Sequence, residues 1–435
     1  MKKFFHYINT EVLVKAANLN TANISVKILA GILISKFIAV FIGPEGMALI
    51  GNLRNFLSTI QSTAIAGLYN GMVKLIGKCK NDLAALTNTL STVFYLGFFS
   101  SILLAFLCYY NAEFINELIF LNNNYTYVIE TMAIILPFYA LNMFVFSIMN
   151  GFSKYRILLV INITGQILGL LVTLLLIKQE NIDGALVAVV ITPALNLLIT
   201  IVGIAFRKNL MSYIRITNIN LGVLRNLSPY MIMALVTSIA LPIVYIIIRN
   251  YIISEIGIKE AGYWTAVTRV SDYYLMFINS LMALYILPRF AELKSQSEFR
   301  KEVFSFYKTV LPIFAVILGI IYLCRGLLVT VLFTEEFRPI EDLFGYQILG
   351  DFMRVMSMVI AYKFLAKKMF THFIIIEIFL FVIMYFSSIY LIDVFGVKGA
   401  VMGHCLSYFM HFGIVLLIFG SSLFGVLSDE GLDEY

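Results

Sequence analysis

The chain has 435 residues, of which 61% are hydrophobic and only 13% are charged, and its formal net charge is +6. An ordinary soluble domain carries roughly 25% charged residues, so this chain has too few polar side chains to cover the surface of a soluble protein. Its apolar stretches instead recur near the ~20 residues that a helix needs to cross the bilayer core. The composition excludes a soluble enzyme and indicates an all-α membrane protein.

Twelve apolar segments follow one another, and each is long enough to span a membrane. The predicted spans are 19–42, 46–71, 84–108, 127–150, 156–178, 182–206, 229–253, 262–287, 303–325, 340–362, 370–392 and 397–420. Basic residues concentrate in alternate loops, which places both termini in the cytoplasm. Among them are Lys74, Lys78, Lys154, Arg156, Arg207, Lys208, Lys367 and Lys368. Because this bias accounts for the positive net charge, nucleic acid is not an expected partner.

The second half of the chain repeats features of the first at a constant offset in residue number. The matching pairs are Glu45 with Glu260, Arg54 with Arg269, and Lys74 with Arg289. We call the shared difference between their numbers the repeat offset. An even number of spans in each half predicts parallel repeats. We therefore expect an N-terminal lobe at 1–208, a cytoplasmic linker at 209–228, and a C-terminal lobe at 229–435 that ends in a short acidic tail.

Several predicted spans contain ionisable residues, which cost on the order of 2.5–3.5 kcal/mol each at the centre of a membrane helix. The candidates are Lys27, Lys36, Arg54, Arg269, Asp272, Asp351, Arg354 and Glu377. Lysines near helix ends can extend to the interface, and charge pairs at i,i+3 spacing can be purely structural. Arg269 with Asp272 and Asp351 with Arg354 have that spacing, so both interpretations stay open for these pairs.

The cations of the first lobe point to an anionic ligand. Within the predicted spans of that lobe, the one candidate for a buried acidic partner of Lys27, Lys36 and Arg54 is Glu130, near the outer end of its span. Arginine and lysine together suit a diphosphate. In the second lobe, Asp272, Asp351 and Glu377 are candidates for binding a proton or a cation such as sodium. Pro242 interrupts the seventh span and predicts either a hinge or a static kink.

No pattern of residues predicts catalysis, a metal site or a cofactor. The four cysteines are not spaced as a zinc or redox motif. A membrane glycan polymerase, ligase or glycosyltransferase would need an acid/base or metal-binding loop such as DxD, and the sequence has none. A drug or cation antiporter would need an acidic binding lobe, whereas the first lobe is basic.

Several segments together resemble the O-antigen and lipid III flippases (the Wzx type) of the multidrug/oligosaccharidyl-lipid/polysaccharide exporter superfamily, the enterobacterial common antigen branch in particular. The resemblance covers most of the chain. Its segments are Val26-Lys27 with Lys36, Gly43-Pro44, Asn52-Leu53-Arg54, the run from Leu235 to Arg249, Val270-Ser271-Asp272, and Leu349-Gly350-Asp351 with Arg354. The sequence departs from the enterobacterial pattern at Arg269.

The resemblance implies two six-helix lobes that form a V around a central cationic cavity. It also implies alternating-access transport of an undecaprenyl-diphosphate oligosaccharide from the cytoplasmic to the periplasmic leaflet of the bacterial inner membrane. Lys27, Lys36, Arg54, Arg269 and Arg354 would then be substrate-binding cations of the cavity. A monomer is expected, with polysaccharide polymerase and chain-length proteins as candidate partners.

Overall fold

The computed structural model describes residues 11–65, 67–79, 81–204 and 214–424, and residues 11–19, 69, 70, 204, 226, 229 and 230 are described by their backbone alone. Within these ranges the chain forms helices and turns without a strand, which confirms the all-α prediction. The predicted linker at 209–228 is described only from residue 214. Arg207, Lys208 and the acidic tail lie outside the described residues.

The described helices follow the predicted segments closely. The first half contains α1 (Glu11–Phe41), α2 (Gly43–Ala64), α3 (Leu68–Cys79), α4 (Leu83–Tyr110), α5 (Ala112–Phe120), α6 (Thr126–Gly151) and α7 (Tyr155–Ile204). The second half contains α8 (Leu221–Glu255), α9 (Ile258–Leu281), α10 (Leu287–Glu292), α11 (Gln296–Leu323), α12 (Arg325–Leu332), α13 (Phe344–Ala366), α14 (Phe370–Phe395) and α15 (Val397–Phe424). A π-helical turn joins α9 to α10 at Met282–Ile286, and 3-10 turns lie at Ile216–Asn218 and Glu335–Asp342. Every predicted span overlaps one of these helices.

Nine helices of the described part are long and apolar enough to cross a membrane. They are Asn20–Phe41, Leu83–Tyr110, Thr126–Gly151, Tyr155–Gly203, Met231–Glu255, Ile258–Glu292, Gln296–Leu323, Phe370–Phe395 and Val397–Phe424. Such helices satisfy their own backbone hydrogen bonds, which is why long runs of Leu, Ile and Phe can lie in hydrocarbon. The chain is therefore a multi-pass membrane protein.

Helix α7 is two helices joined at a sharp bend. Asn181 has φ 48° and ψ −117° inside it, a conformation outside the helical region. At ~1.5 Å per residue, the 49 residues of Tyr155–Gly203 would be more than twice as long as the ~30 Å hydrocarbon core is thick. The bend therefore lies where the sequence predicts the end of one span and the start of the next.

The described residues group into two compact units. The first comprises those within Met1–Ile42 and Leu49–Ile246, and the second comprises Gly43–Ala48 and those from Ile247 onward. In the first unit α7 packs against α1 and α6, and α4 packs against α6. In the second unit α15 packs against α13 and α14, and α9 packs against both α13 and α15. The predicted lobe boundaries at 208 and 229 stay predictions.

Glycine and proline mark the starts of the two helices that carry the predicted arginines. Gly43 has φ +81°, and Pro44 follows at the first turn of α2, where its missing N–H costs nothing. Gly257 has φ +147° immediately before α9. In the second unit Gly262 lies against the Pro44 carbonyl, and a Cβ at Gly262 would come within 2.0 Å of that oxygen. Only glycine fits this contact.

The backbone repeats at the offset that the sequence predicts. Ser153 and Lys368, which are separated by the repeat offset, both have positive φ, at 56° and 59°. Each follows a helix whose final turn is closed by a 6→1 hydrogen bond, from Lys154 N to Met149 O at 2.9 Å and from Met369 N to Phe364 O at 2.8 Å. The turn between α6 and α7 is therefore equivalent to the turn between α13 and α14.

A second pair of turns shows the same offset. Asn181 and Gly396 have φ 48° and 62°. Three residues later, a Cβ added to Gly184 would meet Leu176 O at 1.9 Å, and one added to Gly399 would meet Leu391 O at 2.1 Å. All of these counterparts are separated by the repeat offset, so the two halves of α7 correspond to α14 and α15.

Candidate functional site

The three predicted cations of the first unit lie on two consecutive helices. Lys27 and Lys36 are on α1, and Arg54 is on α2. Lys27 is exposed, while Lys36 and Arg54 are half-buried. One turn of α2 is fixed by Asn52, which is fully buried and donates to the Ile119 carbonyl at 2.8 Å. None of the three side chains is fully buried, and their convergence on one anion stays a prediction.

Arg269, the repeat counterpart of Arg54, has a different environment. It is buried on α9, where Nε donates to the Tyr273 hydroxyl at 3.2 Å and Nη1 lies 3.6 Å from the Met47 sulfur. Asp272, one turn later, is exposed. In this conformation the Arg269 guanidinium is covered by its own unit, so its predicted contact with substrate would require a rearrangement.

Asp351 lies at the centre of a buried polar cluster in the second unit. Its side chain is 0% exposed and sits about 10 Å from the start of α13. Oδ2 accepts from the Tyr274 hydroxyl at 2.5 Å and from Gln347 Nε2 at 3.2 Å. Oδ1 lies 3.0 Å from His404 Nε2. Ser271 extends the cluster, because its hydroxyl is 2.9 Å from that of Tyr274.

Arg354 lies one turn after Asp351 on α13 and is half-buried. Its guanidinium stacks over the ring of Tyr408, 5.4 Å from the ring centroid. It also interacts electrostatically with Asp351 and with Glu377, which is half-buried on α14. The structure therefore brings Asp351, Arg354 and Glu377 into one neighbourhood of the second unit.

The sequence analysis missed the histidine side of this cluster. His404 and His411 are seven residues apart on α15, so they lie on one face of the helix, and both are 4% exposed. His411 Nδ1 lies 2.6 Å from the Ser357 hydroxyl. The signal was present, since two of only four histidines in the chain stand two turns apart in an apolar helix. Their partners are more than fifty residues away, which no local pattern reveals.

Two buried cations near helix ends also escaped the sequence analysis as site candidates. Arg249 is 3% exposed, donates from Nε to Thr265 Oγ1 at 2.8 Å, and stacks on Trp264. Lys363 is 6% exposed, and its ammonium group lies over the rings of Phe299 and Phe419 at 4.0 and 4.8 Å. Cation–π contacts of this kind stabilise packing, so both residues have structural partners.

Pro242 lies within α8, which continues from Leu221 to Glu255. The side chain is half-buried. A proline within a helix removes one backbone hydrogen bond and favours bending at that point. Its role as a hinge stays a prediction. The described residues contain no cluster of three or more His, Cys, Asp or Glu side chains suited to a metal ion.

Solved transporter structures share this fold. The multidrug transporter DinF-BH of the MATE family superposes with a TM-score of 0.72 at 14% identity and covers 96% of this chain and 97% of its own. The lipid II flippase MurJ, in an inward closed conformation, gives a TM-score of 0.70 at 15% identity, covering 94% and 87%. The fold is therefore that of the MATE and MurJ transporters.

The sequence matches identify the family. Residues 37–342 match the model of a family described as polysaccharide biosynthesis protein, and the chain belongs to this family. Among curated proteins, the lipid III flippase of Escherichia coli (strain K12) is 28% identical over 410 residues, which cover 94% of this chain and 98% of that protein. The lipid III flippase of Shigella flexneri matches with the same identity and coverage.

Proposed function

We propose that this protein is a flippase that moves a polyprenyl-diphosphate-linked oligosaccharide from the cytoplasmic to the periplasmic leaflet of the bacterial inner membrane. The observation that carries the proposal is the similarity to lipid III flippases, which extends over 98% of the curated relative. The match extends over both units and is not confined to one shared segment. The repeat unit carried would be of the O-antigen or lipid III kind.

The charges of the first unit support recognition of a diphosphate. Lys27, Lys36 and Arg54 are partly or fully accessible, and a guanidinium can contact phosphate oxygens in a bidentate manner while lysine supplies a point charge. The diphosphate would bind these cations while the glycan crosses by alternating access. The polyprenyl chain would stay in hydrocarbon, because burying it in a polar path would lose its favourable transfer into the bilayer.

The helix positions support a proposed membrane topology. We propose twelve crossings: eight of the nine apolar helices, the two halves of α7, and helices α2 and α13. Helices α2 and α13 carry the charged candidates Arg54 and Asp351, which lowers their hydropathy. An even number of crossings and the basic loops support the proposal that both termini are cytoplasmic.

A drug or cation antiporter is the main alternative, since MATE transporters share the fold. Those structures are only 13–14% identical to this chain, and a likeness at that level concerns the fold alone. The basic first unit favours an anionic ligand over a cationic drug. The curated relatives are named as flippases, which are transporters, so we do not propose an enzyme.

Complementation tests the proposal. The chain is expressed in a bacterium that lacks its own lipid-linked oligosaccharide flippase, and the return of surface glycan is measured. We expect the wild type to restore glycan. Arg54→Ala should reduce it about 10- to 100-fold, since a hydrogen bond to a charged group contributes about 1.5–3 kcal/mol. Arg338→Ala is the matched control, because Arg338 is an exposed arginine paired with Glu335.

Each outcome has a distinct meaning. Rescue by the wild type and by Arg338→Ala, but not by a well-inserted Arg54→Ala, supports both the substrate class and the cationic site. Rescue by all three proteins contradicts the role of Arg54. If the wild type inserts normally and does not restore glycan in hosts supplied with several different repeat units, the flippase proposal fails.

A further inference from the structure

Helix α4 holds part of the predicted linker by hydrogen bonds. We call this part, residues 214–220, the linker segment. The backbone N–H of Arg215 donates to Ser91 Oγ at 3.0 Å, and the backbone N–H of Asn220 donates to Thr92 Oγ1 at 2.9 Å. Both hydroxyl side chains are buried. Two backbone donors of the segment are therefore satisfied by side chains of the same unit.

Two of the polar positions on α4 are apolar at the equivalent positions of the second unit. At the repeat offset, Ser91 corresponds to Phe306 and Asn88 to Val303 on α11. Phe306 and Val303 are both buried, so this helix position packs well without polar groups. On α4, Asn88 accepts from the Asn218 side chain of the linker segment at 3.2 Å. The polar face of α4 therefore serves the linker segment and is not required for helix packing.

The apolar side chains of the same region are exposed. Ile216 and Ile219 are 67% and 48% exposed, and Leu221, the first residue of α8, is 77% exposed. All three precede the part of α8 that is apolar enough to cross a membrane, which begins at Met231. Exposed apolar groups that are bordered by polar residues mark an interaction surface. With its polar groups on α4 and its apolar groups outside, the segment has the opposite arrangement to a loop in water.

The attachment points on α4 lie at the level of a membrane surface. The stretch of this membrane-crossing helix from Val93 to Tyr110 would span about 27 Å at ~1.5 Å per residue. That length is close to the ~30 Å thickness of the hydrocarbon core. The polar residues Asn88, Ser91 and Thr92 come immediately before this stretch. The linker segment that they bind is therefore at the boundary between hydrocarbon and lipid headgroups.

The charge of this region favours an anionic surface. Arg215 lies within the linker segment, Arg225 follows in the first turns of α8, and both are exposed. The sequence contains no acidic residue between Asp183 and Glu255. Each basic side chain near an anionic lipid surface strengthens binding about fivefold. Exposed apolar side chains between two arginines match a surface on which phosphate groups lie directly above hydrocarbon.

Asn220 connects the linker segment to α8. Its backbone N–H is bound by Thr92, and its side chain accepts from the Gly222 N–H at 2.7 Å where the helix begins. Further along α8, Leu227 is buried in a hydrophobic cluster that includes Leu90 of α4. The position of the linker segment therefore determines where α8 begins.

We propose that the linker segment is an interfacial anchor that binds the anionic phospholipid surface of the adjacent leaflet, which is the cytoplasmic leaflet in the topology proposed above. The side chains of Ile216, Ile219 and Leu221 insert below the headgroups. Arg215 and Arg225 contact lipid phosphates, while the hydroxyl groups of α4 satisfy the backbone. The anchor holds the start of α8 at a constant depth in the membrane.

Quenching of tryptophan fluorescence by brominated lipids tests the anchor. Ile216→Trp and Ile219→Trp are placed in nanodiscs in which either phosphatidylcholine or phosphatidylglycerol carries bromine on its acyl chains. Ser297→Trp is the matched control, because Ser297 is exposed at the start of α11, before the predicted span that begins at residue 303. The native Trp264 is 2% exposed, and its signal is measured in the wild type and subtracted.

We expect both linker tryptophans to emit at shorter wavelength than Ser297→Trp and to be quenched by both brominated lipids. Brominated phosphatidylglycerol should quench them more strongly, because the arginines enrich anionic lipid around the segment. Adding Arg215→Gln to Ile219→Trp should lower that enrichment by up to about fivefold. Adding Arg338→Gln should leave it unchanged, because Arg338 is an exposed arginine paired with Glu335.

Hydrogen–deuterium exchange tests the attachment to α4. Ser91→Ala combined with Thr92→Val removes both acceptors of the segment's backbone donors. The two N–H groups should then exchange about 2- to 10-fold faster, as expected for the loss of one hydrogen bond each. Thr87→Val is the matched control on the same helix, because Thr87 Oγ1 donates to the Leu83 carbonyl within α4 at 2.7 Å. Exchange that is no faster in the double variant than in Thr87→Val contradicts the attachment.

Linker tryptophans that emit and quench like Ser297→Trp overturn the anchor, because the segment then lies in water. Equal quenching by the two lipids, or an enrichment unchanged by Arg215→Gln, overturns the preference for anionic lipid. If the tryptophan variants do not fold, trypsin cleavage of the wild type after Arg215 and Arg225 decides. Phosphatidylglycerol nanodiscs should slow this cleavage, and equal rates in phosphatidylcholine contradict the anchor. None of these measurements uses transport, so a failure of the flippase proposal would leave them unaffected.

Discussion

The two units of this protein share a backbone plan and differ in where they place charge. Equivalent turns at Ser153 and Lys368 and at Asn181 and Gly396 recur at one offset. In the first unit the candidate charges are basic and accessible, whereas the central charge of the second unit, Asp351, is fully buried. The two units therefore differ in how deeply their candidate charges are buried.

Replacing Asp351 alone should cause the largest loss of stability among the variants that test how the two units differ. Asp351→Leu installs the first unit's residue and leaves the Tyr274, Gln347 and His404 donors without their acceptor. Truncating one partner of a buried charged network typically costs about 3–5 kcal/mol. We expect a large loss of thermal stability in detergent. The triple variant with Gln347→Met and His404→Val should recover most of that loss, because Tyr274 is then the one donor left of the three, and the Ser271 hydroxyl stays 2.9 Å from its own.

Thermal unfolding of the single and triple variants, measured side by side, decides the matter. If Asp351→Leu and the triple variant are both as stable as the wild type, the side chains do not act as one network. If both are as unstable as each other, the second unit requires polar residues where the first does not, and the equivalence of the two units is limited to their turns.

The bend within α7 and the turn between α14 and α15 should lose similar stability when a methyl group is added at their close contacts. Gly184→Ala and Gly399→Ala each place a Cβ about 2 Å from a backbone carbonyl. Backbone cannot yield as a side chain does, so each change should cost about 1–3 kcal/mol. Gly319→Ala is the control, because no atom lies within 4 Å of its added Cβ. Unequal losses at Gly184 and Gly399 would show that the hairpins are not energetically equivalent.

Much of the fold could be predicted from the sequence because membrane helices are encoded locally. Each predicted span overlaps a helix, and the break at Asn181 falls between two predicted spans. The repeat offset was also visible from three charged pairs, and it recurs in the backbone. Helices α2 and α13 are not among the nine described helices that are long and apolar enough to cross a membrane, and their charged residues lower their hydropathy.

The site was less predictable, because burial depends on neighbours that are distant in the chain. Asp351 was named as a candidate from its charge, but its direct partners Tyr274 and His404 come from other helices. Arg269 and Asp272 have the spacing of a pair, yet one is buried and the other is exposed. Spacing on one helix indicates which residues could meet, and only packing between helices determines which do.

The equivalent turns at Asn181 and Gly396 offer a smaller and more specific test. Asn181 has φ 48° and ψ −117°, a region that glycine occupies at much lower cost than other residues. Asn181→Gly should therefore raise stability by about 1 kcal/mol, and Gly396→Asn should lower it by a similar amount. Thermal unfolding measures both. A loss of stability in Asn181→Gly would mean that the asparagine side chain contributes more than its backbone strain costs.

The smallest expected effect concerns a pair of equivalent positions that form a hydrogen bond in the first unit and an ion pair in the second. Tyr127 donates to Asp183 in the first unit, and at the same offset Asp342 pairs with Lys398 at 2.9 Å in the second. An exposed ion pair contributes about 0–1 kcal/mol and is screened by salt. Lys398→Met should therefore have an effect that vanishes at high salt. Tyr127→Phe should cost about 0.5–1.5 kcal/mol at any salt concentration, because a hydrogen bond depends on short-range geometry. Equal salt dependence in both variants would mean that Asp183 acts mainly through its charge, and that the two units stabilise this end of their hairpins by the same mechanism.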